Sequence, residues 1–261
     1  MNNILDKIIK NKKIEVDKKK EIFSLNFIKN QPLFKRNTIS LKSKIKSSNT
    51  GVIAEFKRCS PSKKNINSNL SAFNVSKSYE ENGACGMSIL TDNKYFGGSL
   101  EDLIQARNNS NLPLLRKEFI IDKYQIYESK AFGADIILLI ASILTKSEII
   151  EFSLIAKSLD LEVLIEVHNE NEIHKSLNSN IDFVGINNRD LKTFNVNLDR
   201  SKILSSKIPN NYIKISESGI KSIEDIKELK SYGFKGFLIG ENFMKSNSPG
   251  IELKNFIKNL E

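Results

Sequence analysis

From residue 51 to the end of the chain, short apolar runs alternate with longer amphipathic segments. Runs such as ILLI and VLIEV are apolar at consecutive positions, which is typical of strands covered on both faces in a parallel sheet. Regular alternation of strands and helices is typical of the α/β class. The predicted strands lie near residues 51–56, 86–90, 113–117, 135–140, 162–167, 183–187, 212–216 and 236–240, and the predicted helices near 72–82, 99–108, 123–132, 146–159, 169–177, 198–206, 222–232 and 249–260.

Two architectures fit this alternation, a closed barrel and a doubly wound open sheet. A dinucleotide-binding open sheet would carry a glycine fingerprint after its first strand, but here the first strand is followed by KRCSPSKK. The chain has 261 residues, and about 250 residues is usual for one α/β barrel. We therefore predict a single (β/α)8 TIM barrel domain over residues 1–261.

The N-terminal part of the chain precedes this repeating pattern. Apolar residues stand at positions 4, 8, 9 and 14, and Val16 follows, among charged residues, which predicts an amphipathic helix. We expect residues 1–50 to form an extra N-terminal helical segment that packs on one end of the barrel.

The net charge bears on the kind of ligand. The formal charge is +9, and the lysines are distributed along the whole chain. A basic surface attracts nucleic acids and small anions alike. Because the sequence has no recognised nucleic-acid motif, we expect an anionic small substrate and no nucleic-acid partner.

The sequence does not predict a membrane or secreted protein. Its longest apolar stretch, residues 134–144, contains Asp135 and is too short to span a bilayer. The N-terminus lacks the apolar core and cleavage site of a secretory signal. Cys59 and Cys85 have neither disulfide nor zinc-site spacing, so we interpret them as reduced. We expect a cytoplasmic monomer without a membrane partner.

Glycine turns follow the last two predicted strands, Glu217-Ser218-Gly219 after the seventh and Gly240-Glu241 after the eighth. In α/β barrels these two loops commonly bind phosphate through backbone N–H groups. Glycine allows the backbone to approach the phosphate closely. The sequence therefore predicts a phosphorylated small-molecule substrate.

Charged residues stand at the C-terminal tips of the other strands. The first strand ends near Glu55 and Lys57, the third at Arg116 and Lys117, the fifth at Glu166, and the sixth near Asn187 and Arg189. A barrel brings these tips together around one mouth. Carboxylates that surround a lysine shift one another's pKa values and can divide acid and base roles. Lys57 and Arg189 are candidate anion-binding groups.

Seven segments occur in an order that resembles one enzyme family, indole-3-glycerol-phosphate synthase. They are VIAEFKRCSPSK, LTDNKYFGGS, PLLRKEFIID, EVLIEVH, VGINNRDLKTF, SESGI and LIGENFM, and ILDKIIKNKKIEV resembles the extra N-terminal helix of that family. The resemblance runs from the first helix to the last strand. It implies the (β/α)8 barrel that the alternating pattern predicts independently.

The resemblance implies catalytic roles for three residues. Lys117 matches the general acid, which protonates the substrate oxygen as the ring closes. Glu166 matches the proposed general base of the dehydration. Glu55 matches an acidic partner that orients the lysine and shares in proton handling.

Other matches imply substrate binding. They are Lys57 at the anionic groups, Ser60 and Arg189 near the anthranilate carboxylate, Asn187 as a polar orienting residue, Glu217 near the hydroxyls and Phe119 beside the aromatic ring. The phosphate-binding matches are Ser218, Gly219, Gly240 and Glu241, the last mainly through its backbone N–H.

The implied reaction converts 1-(2-carboxyphenylamino)-1-deoxyribulose 5-phosphate to indole-3-glycerol phosphate, CO2 and water. The anilino nitrogen supplies the electron density that the decarboxylation needs, so we expect no metal and no organic cofactor. His168 and His174 are too few for a metal site, and we expect them to be structural or solvent-facing.

The chain departs from the family pattern at two positions. Lys64 stands where the family usually has glycine after the SPSK lysine, and Glu118 stands where aspartate is more common. We expect the first change to modify the loop after the first strand without loss of activity.

Two alternatives remain at this stage. One is another phosphate-binding barrel such as phosphoribosylanthranilate isomerase, whose chemistry is usually assigned to a cysteine and an aspartate. Neither Cys59 nor Cys85 lies at a matching strand tip. The other is a non-catalytic basic barrel, which the presence of both Lys117 and Glu166 disfavours.

Overall fold

A closed barrel of eight parallel strands, ordered β1 to β8, forms the centre of the computed structural model. The structure describes residues 4–190, 194–258 and 260. Residues 1–3 and 259, which belong to the predicted first and last helices, lie outside these ranges. The strands are β1 (Val52–Phe56), β2 (Gly86–Leu90), β3 (Leu114–Lys117), β4 (Ile136–Ile140), β5 (Glu162–Val167), β6 (Phe183–Asn187), β7 (Ile213–Glu217) and β8 (Phe234–Ile239).

Helices connect the strands and precede them. They are α1 (Ile4–Ile22), α2 (Leu25–Lys29), α3 (Leu41–Ser47), α4 (Ala72–Glu81), α5 (Asn93–Phe96), α6 (Leu100–Asn109), α7 (Tyr124–Ala131), α8 (Lys146–Ser158), α9 (Glu170–Ser176), α10 (Asp199–Ser205), α11 (Ile223–Ser231), α12 (Glu241–Met244) and α13 (Pro249–Lys258). Every predicted strand and helix is present, with ends that differ by a few residues. The (β/α)8 fold predicted from the sequence is confirmed. Among the described residues, no helix is both long and apolar enough to cross a membrane.

Alternation along each strand creates two hydrophobic cores. On β1, Val52, Ala54 and Phe56 belong to the core between the barrel and its helices. Ile53 belongs to the core inside the barrel, together with Leu115 of β3 and other inward-facing residues. Because successive side chains of a strand point to opposite faces, this pattern decides which strand-end residues can reach the mouth.

The N-terminal segment contacts both ends of the barrel, so the prediction of one end was too narrow. Leu41 and Ile45 of α3 join the interior core. Gly86 begins β2, and a Cβ at Gly86 would lie 2.7 Å from Leu41, which places α3 at the N-terminal end of the strands. Helix α1 instead lines the opening at the C-terminal end of the strands. The short helix α3 closes the bottom while α1 forms part of the mouth.

Candidate active site

A cavity of about 550 Å³ lies at the C-terminal end of the barrel strands. Residues from all eight strands or the loops that follow them line it, and so do Ile4, Leu5 and Ile8 of α1. Every residue to which the family resemblance assigns a catalytic or binding role lines this cavity. In α/β barrels this end carries the active site.

Strand alternation explains why the ionisable groups converge. Glu55 is two residues beyond the inward-facing Ile53, and Lys117 is two residues beyond Leu115. Glu166 follows Leu164 in the same way. Residues two apart share a face, so these side chains continue the interior core up into the mouth.

Arg116 does not reach the site, which corrects the sequence-based expectation for this strand tip. Its position between Leu115 and Lys117 turns it outward, where it is buried against α7. Arg116 Nη2 lies 2.7 Å from Glu128 Oε2. The prediction was wrong because it treated adjacent residues at a strand end as equivalent.

Lys117 lies between two carboxylates. Its Nζ donates to Glu166 Oε2 at 2.9 Å and to Glu217 Oε2 at 2.6 Å. Burial alone lowers the pKa of Lys117, but the negative charges of Glu166, Glu217 and Glu55 outweigh it and hold the pKa well above its usual range. Lys117 is therefore a protonated donor in a fixed orientation.

The two carboxylates beside Lys117 differ in their proton affinity. Burial raises the pKa of Glu166, but Lys117 and His168 reverse the effect and bring it below its usual value. For Glu217 burial prevails over Lys117, and the charge of Glu166 adds to it, which raises the pKa to about 7. Glu217 is therefore the carboxylate of this pair that takes up a proton first.

Glu55 contacts a different lysine from the one that the resemblance implies. Its Oε1 accepts a hydrogen bond from Lys57 Nζ at 2.6 Å, whereas the direct partners of Lys117 are Glu166 and Glu217. Glu55 acts on Lys117 through its charge, by raising the pKa of the lysine. Glu55 and Lys117 thus belong to separate lysine–carboxylate groups, the first at β1 and the second shared by β3, β5 and β7.

Gly185 on β6 is required by this arrangement, and the sequence analysis did not single it out. A Cβ at Gly185 would overlap Glu217 Oε1. A larger residue at this position would require the Glu217 carboxylate to shift. A glycine inside an otherwise apolar strand is a signal of such close approach.

The predicted phosphate cradle lies at the ends of β7 and β8. Ser218 and Gly219 have consecutive positive φ angles of 67° and 83°, which form a sharp turn at the mouth. A Cβ at Gly219 would overlap Val196, so both backbone angle and space favour glycine. Gly240 precedes α12 at the end of the neighbouring strand β8, and it also lines the cavity.

Two lysines beside the cradle were not predicted. Glu241 Oε1 lies 2.9 Å from Lys245 Nζ and 3.0 Å from Lys63 Nζ. The hydrogen bond from Lys245 is the largest cause of a lowered pKa at Glu241, and that from Lys63 acts in the same direction. Together they outweigh the effect of partial burial and lower the pKa to about 2. The pair offsets the carboxylate charge where an anion would bind, so Glu241 does not repel a phosphate by itself.

The opposite side of the cavity is aromatic and apolar. The rings of Phe119 and Phe96 lie 6.0 Å apart between centroids, and both line the cavity. Ile4, Leu5 and Ile8 complete this apolar side. Phe96, which lies on the short helix α5, was missed because no periodic pattern marks a helix of this length.

Polar groups fix the rim of the cavity. Asn187 Oδ1 accepts a hydrogen bond from the backbone N–H of Arg189, and Arg189 Nη1 donates to the carbonyl of Phe194. Backbone hydrogen bonds between Ser60 and Lys63 close the turn after β1. Lys64, the departure noted in the sequence, is exposed in this loop.

The two histidines occupy different environments. His174 is exposed and lies 3.5 Å from Glu170, as expected of a solvent-facing residue. His168 is largely buried, and its Nε2 lies 3.6 Å from Glu166 Oε1. His168 therefore lies closer to the candidate general base than the sequence indicated.

Comparison with known proteins decides the family. The family model for indole-3-glycerol phosphate synthase matches residues 5–260. The chain belongs to the indole-3-glycerol phosphate synthase family. An indole-3-glycerol phosphate synthase of Bacteroides thetaiotaomicron is 44% identical over the full length of both chains. One from Alkaliphilus metalliredigens is 42% identical, over 98% of this chain and 99% of the relative.

Solved structures of other proteins share the fold at low sequence identity. Thiamine phosphate pyrophosphorylase from Pyrococcus furiosus has a TM-score of 0.59 at 12% identity, over 85% of this chain and 98% of its own. A 3-hexulose-6-phosphate synthase has a TM-score of 0.62 at 13% identity, over 79% and 97%. The indole-3-glycerol phosphate synthase family consists of carboxy-lyases of tryptophan biosynthesis. The family resemblance seen in the sequence is confirmed, and the isomerase and non-catalytic alternatives are not supported.

Proposed function

We propose that this chain converts 1-(2-carboxyphenylamino)-1-deoxyribulose 5-phosphate to indole-3-glycerol phosphate, CO2 and water. The observation that carries the proposal is Lys117 held between Glu166 and Glu217, in a cavity lined both by aromatic and apolar residues and by the glycine turn after β7. A substrate with an aromatic ring at one end and a phosphate at the other fits this division. Family membership supports the same reaction.

The two sides of the cavity orient the substrate. The phosphate binds at Ser218, Gly219, Gly240 and Glu241, where backbone N–H groups supply positive charge without titrating. The carboxyphenyl ring lies against Phe119 and Phe96. Arg189 and Ser60 lie on the rim that receives the ring carboxylate, and Lys57 offers a second cation to the anionic groups. The ribulose carbonyl then lies near Lys117.

Lys117 acts in the carbon–carbon bond-forming step. The ring carbon that carries the carboxylate attacks the ribulose C2 carbonyl, and the oxygen takes a proton from Lys117 Nζ. The carbon–carboxylate bond then breaks, CO2 leaves, and its electron pair restores the aromatic ring. A positioned proton donor at a developing oxyanion contributes most when its orientation is fixed beforehand.

Dehydration requires a base and an acid. Lys117 first regains from solvent the proton that it gave up in ring closure. Glu166 then accepts the proton from the former ribulose C1, while the new hydroxyl takes a proton from Lys117 and leaves as water. Protonation of Glu217, whose pKa is about 7, removes one negative neighbour from Lys117 and makes its proton easier to donate. Asn187 orients the reacting groups, and Glu55 with Lys57 forms a second proton-handling pair.

The experiment incubates purified protein with the carboxyphenylamino sugar phosphate and follows the rise of indole fluorescence. We expect saturable conversion with one CO2 released per indole formed. Intact substrate after prolonged incubation, under conditions where a curated family relative converts it, would refute the proposal.

A further inference from the structure

Lys12 of α1 is a fully buried lysine outside the reacting groups. It is 1% exposed, and its Nζ lies 2.8 Å from Glu15, 3.0 Å from Asp92 and 3.1 Å from Glu118. Burial lowers the pKa of Lys12, but Glu118 and Asp92 outweigh it and raise the pKa above its usual range. A buried charge of this kind is retained only with close partners, so its position is fixed by those two carboxylates.

Both partners hold aromatic residues of the cavity. Asp92 caps α5, since its Oδ1 accepts from the backbone N–H of Tyr95 at 2.8 Å. That helix ends at Phe96. Glu118 stands between Lys117 and Phe119, and its Oε1 accepts from the backbone N–H of Phe119 at 2.8 Å. One ammonium group therefore joins the two segments that carry the aromatic pair.

The same lysine fixes the apolar wall that α1 contributes. Ile8 lies one turn before Lys12 on the same helix face, and Ile4 lies one turn before Ile8. Both isoleucines line the same cavity as Phe96 and Phe119. Movement of α1 would open the aromatic side without touching the phosphate cradle, which lies on β7 and β8.

We propose that Lys12 is a positioning residue that sets the aromatic end of the substrate site by joining α1 to Asp92 and Glu118. The identity of the aromatic ligand rests on the function proposed above. A purely structural ion pair would weaken the protein as a whole, whereas this role predicts a selective loss of affinity at one end of the cavity.

The experiment compares Lys12→Met with wild type by titration with indole-3-glycerol phosphate and, separately, by competition with inorganic phosphate. We expect the dissociation constant for indole-3-glycerol phosphate to rise about tenfold, with an unchanged inhibition constant for phosphate. Lys12→Arg should restore part of the lost affinity. Equal weakening of both ligands, or none, would overturn the positioning role.

Lys19→Met is the matched control. Lys19 lies on the same helix and pairs with Glu128 at 3.1 Å, on the side facing α7. We expect it to lower thermal stability while both ligand affinities stay at wild-type values. A tenfold loss of indole-3-glycerol phosphate affinity in this control would show that any ion pair of α1 suffices, and would overturn the role assigned to Lys12.

A second variant tests the proposal if Lys12→Met does not fold. The triple variant, Lys12→Met with Asp92→Asn and Glu118→Gln, removes all three charges. Position 92 still carries a side chain that can cap α5, and position 118 still carries an oxygen that can accept the hydrogen bond from the backbone N–H of Phe119. It should show the same selective loss, and wild-type affinity would overturn the proposal. Absence of turnover by wild type, with the binding difference intact, would overturn the proposed function alone.

Discussion

At the scale of single residues, Lys117 shows how one ammonium group differentiates two carboxylates. Glu166 and Glu217 are both buried and both contact Lys117 Nζ. The charge of His168 also lowers the pKa of Glu166. Positive charge therefore stabilises the ionised form of Glu166 more than that of Glu217. Opposite charges about 4 Å apart interact by about 4 kcal/mol at an effective dielectric constant near 20. A small difference in surroundings therefore separates the two pKa values.

The raised pKa of Glu217 makes stability depend on pH. Its pKa rises from 4.5 to about 7 on folding, so between these values the folded protein binds more protons than the unfolded chain. The contribution of Glu217 to stability is therefore complete below pH 4.5 and is lost as pH rises through 7. We predict that Glu217→Gln raises the melting temperature by several degrees more at pH 8.5 than at pH 5.5, measured in phosphate-free buffer.

Glu166→Gln is the control for that measurement. The pKa of Glu166 is lowered on folding, so its contribution is present at every pH above the unfolded value and is lost only in acid. Because the charge of Glu166 also contributes to the raised pKa of Glu217, this substitution should show a difference between pH 5.5 and 8.5 in the same direction as Glu217→Gln, but a smaller one. A pH-independent effect of Glu217→Gln would contradict the unequal division of charge.

Sequence reasoning identified the mouth residues but not all their partners. Glu55 and Lys117 could be predicted because charge at a strand end is conspicuous among apolar neighbours. The outward position of Arg116 could have been predicted from alternation with Leu115. The hydrogen bond between Glu55 and Lys57 could not, because it depends on the side-chain conformation that Lys57 adopts at the end of β1.

At the scale of elements, strands and long helices could be predicted because burial imposes a regular apolar pattern. The short helix α5 was missed, and α2 and α3 were predicted only as parts of the helical segment 1–50, without bounds of their own, since each of the three depends on one capping side chain. Ser24, Ser40 and Asp92 accept hydrogen bonds from the first turns of these helices. Local capping is a weak signal in a single sequence, yet α5 delivers Phe96 to the site.

The turn after β7 gives a prediction about the phosphate end. Gly219 has a φ of 83°, and a Cβ there would overlap Val196. Gly219→Ala should distort the turn and raise the inhibition constant for inorganic phosphate by about fivefold, which corresponds to roughly 1 kcal/mol. Inhibition of the indole-forming reaction by phosphate measures this constant.

Gly233→Ala is the matched control. Gly233 has a similar φ of 84°, but it precedes β8 at the other end of the barrel and its nearest neighbour is 3.6 Å from the added Cβ. It should lower stability and leave phosphate inhibition unchanged. No inhibition of wild type at high millimolar phosphate would argue against the cradle.

At the scale of the whole molecule, the apolar residues that stabilise the barrel interior and the ionisable residues of the candidate site occupy different ends of the barrel. Helix α3 and the apolar interior core close one end, while charged residues of alternating strand positions occupy the other. The net charge of +9 is distributed over this frame. A substrate with carboxylate and phosphate groups would be attracted at long range.

This attraction predicts a dependence on ionic strength. The screening length falls from about 10 Å at 0.1 M salt to about 3 Å at 1 M. We predict that kcat/KM decreases severalfold as potassium chloride increases over this range, while kcat at saturating substrate changes little. A kcat/KM that is independent of salt would show that the net charge plays no part in capture.

The most direct test of the central claim is single-turnover kinetics of Lys117→Met with enzyme in excess over substrate. Removal of the proton donor should slow indole formation by about a thousandfold or more. Binding of indole-3-glycerol phosphate, measured by titration, should stay within a few fold of wild type, because the aromatic side and the cradle are intact. Indole formation by Lys117→Met at a rate near that of wild type would contradict the assignment of Lys117 as the acid.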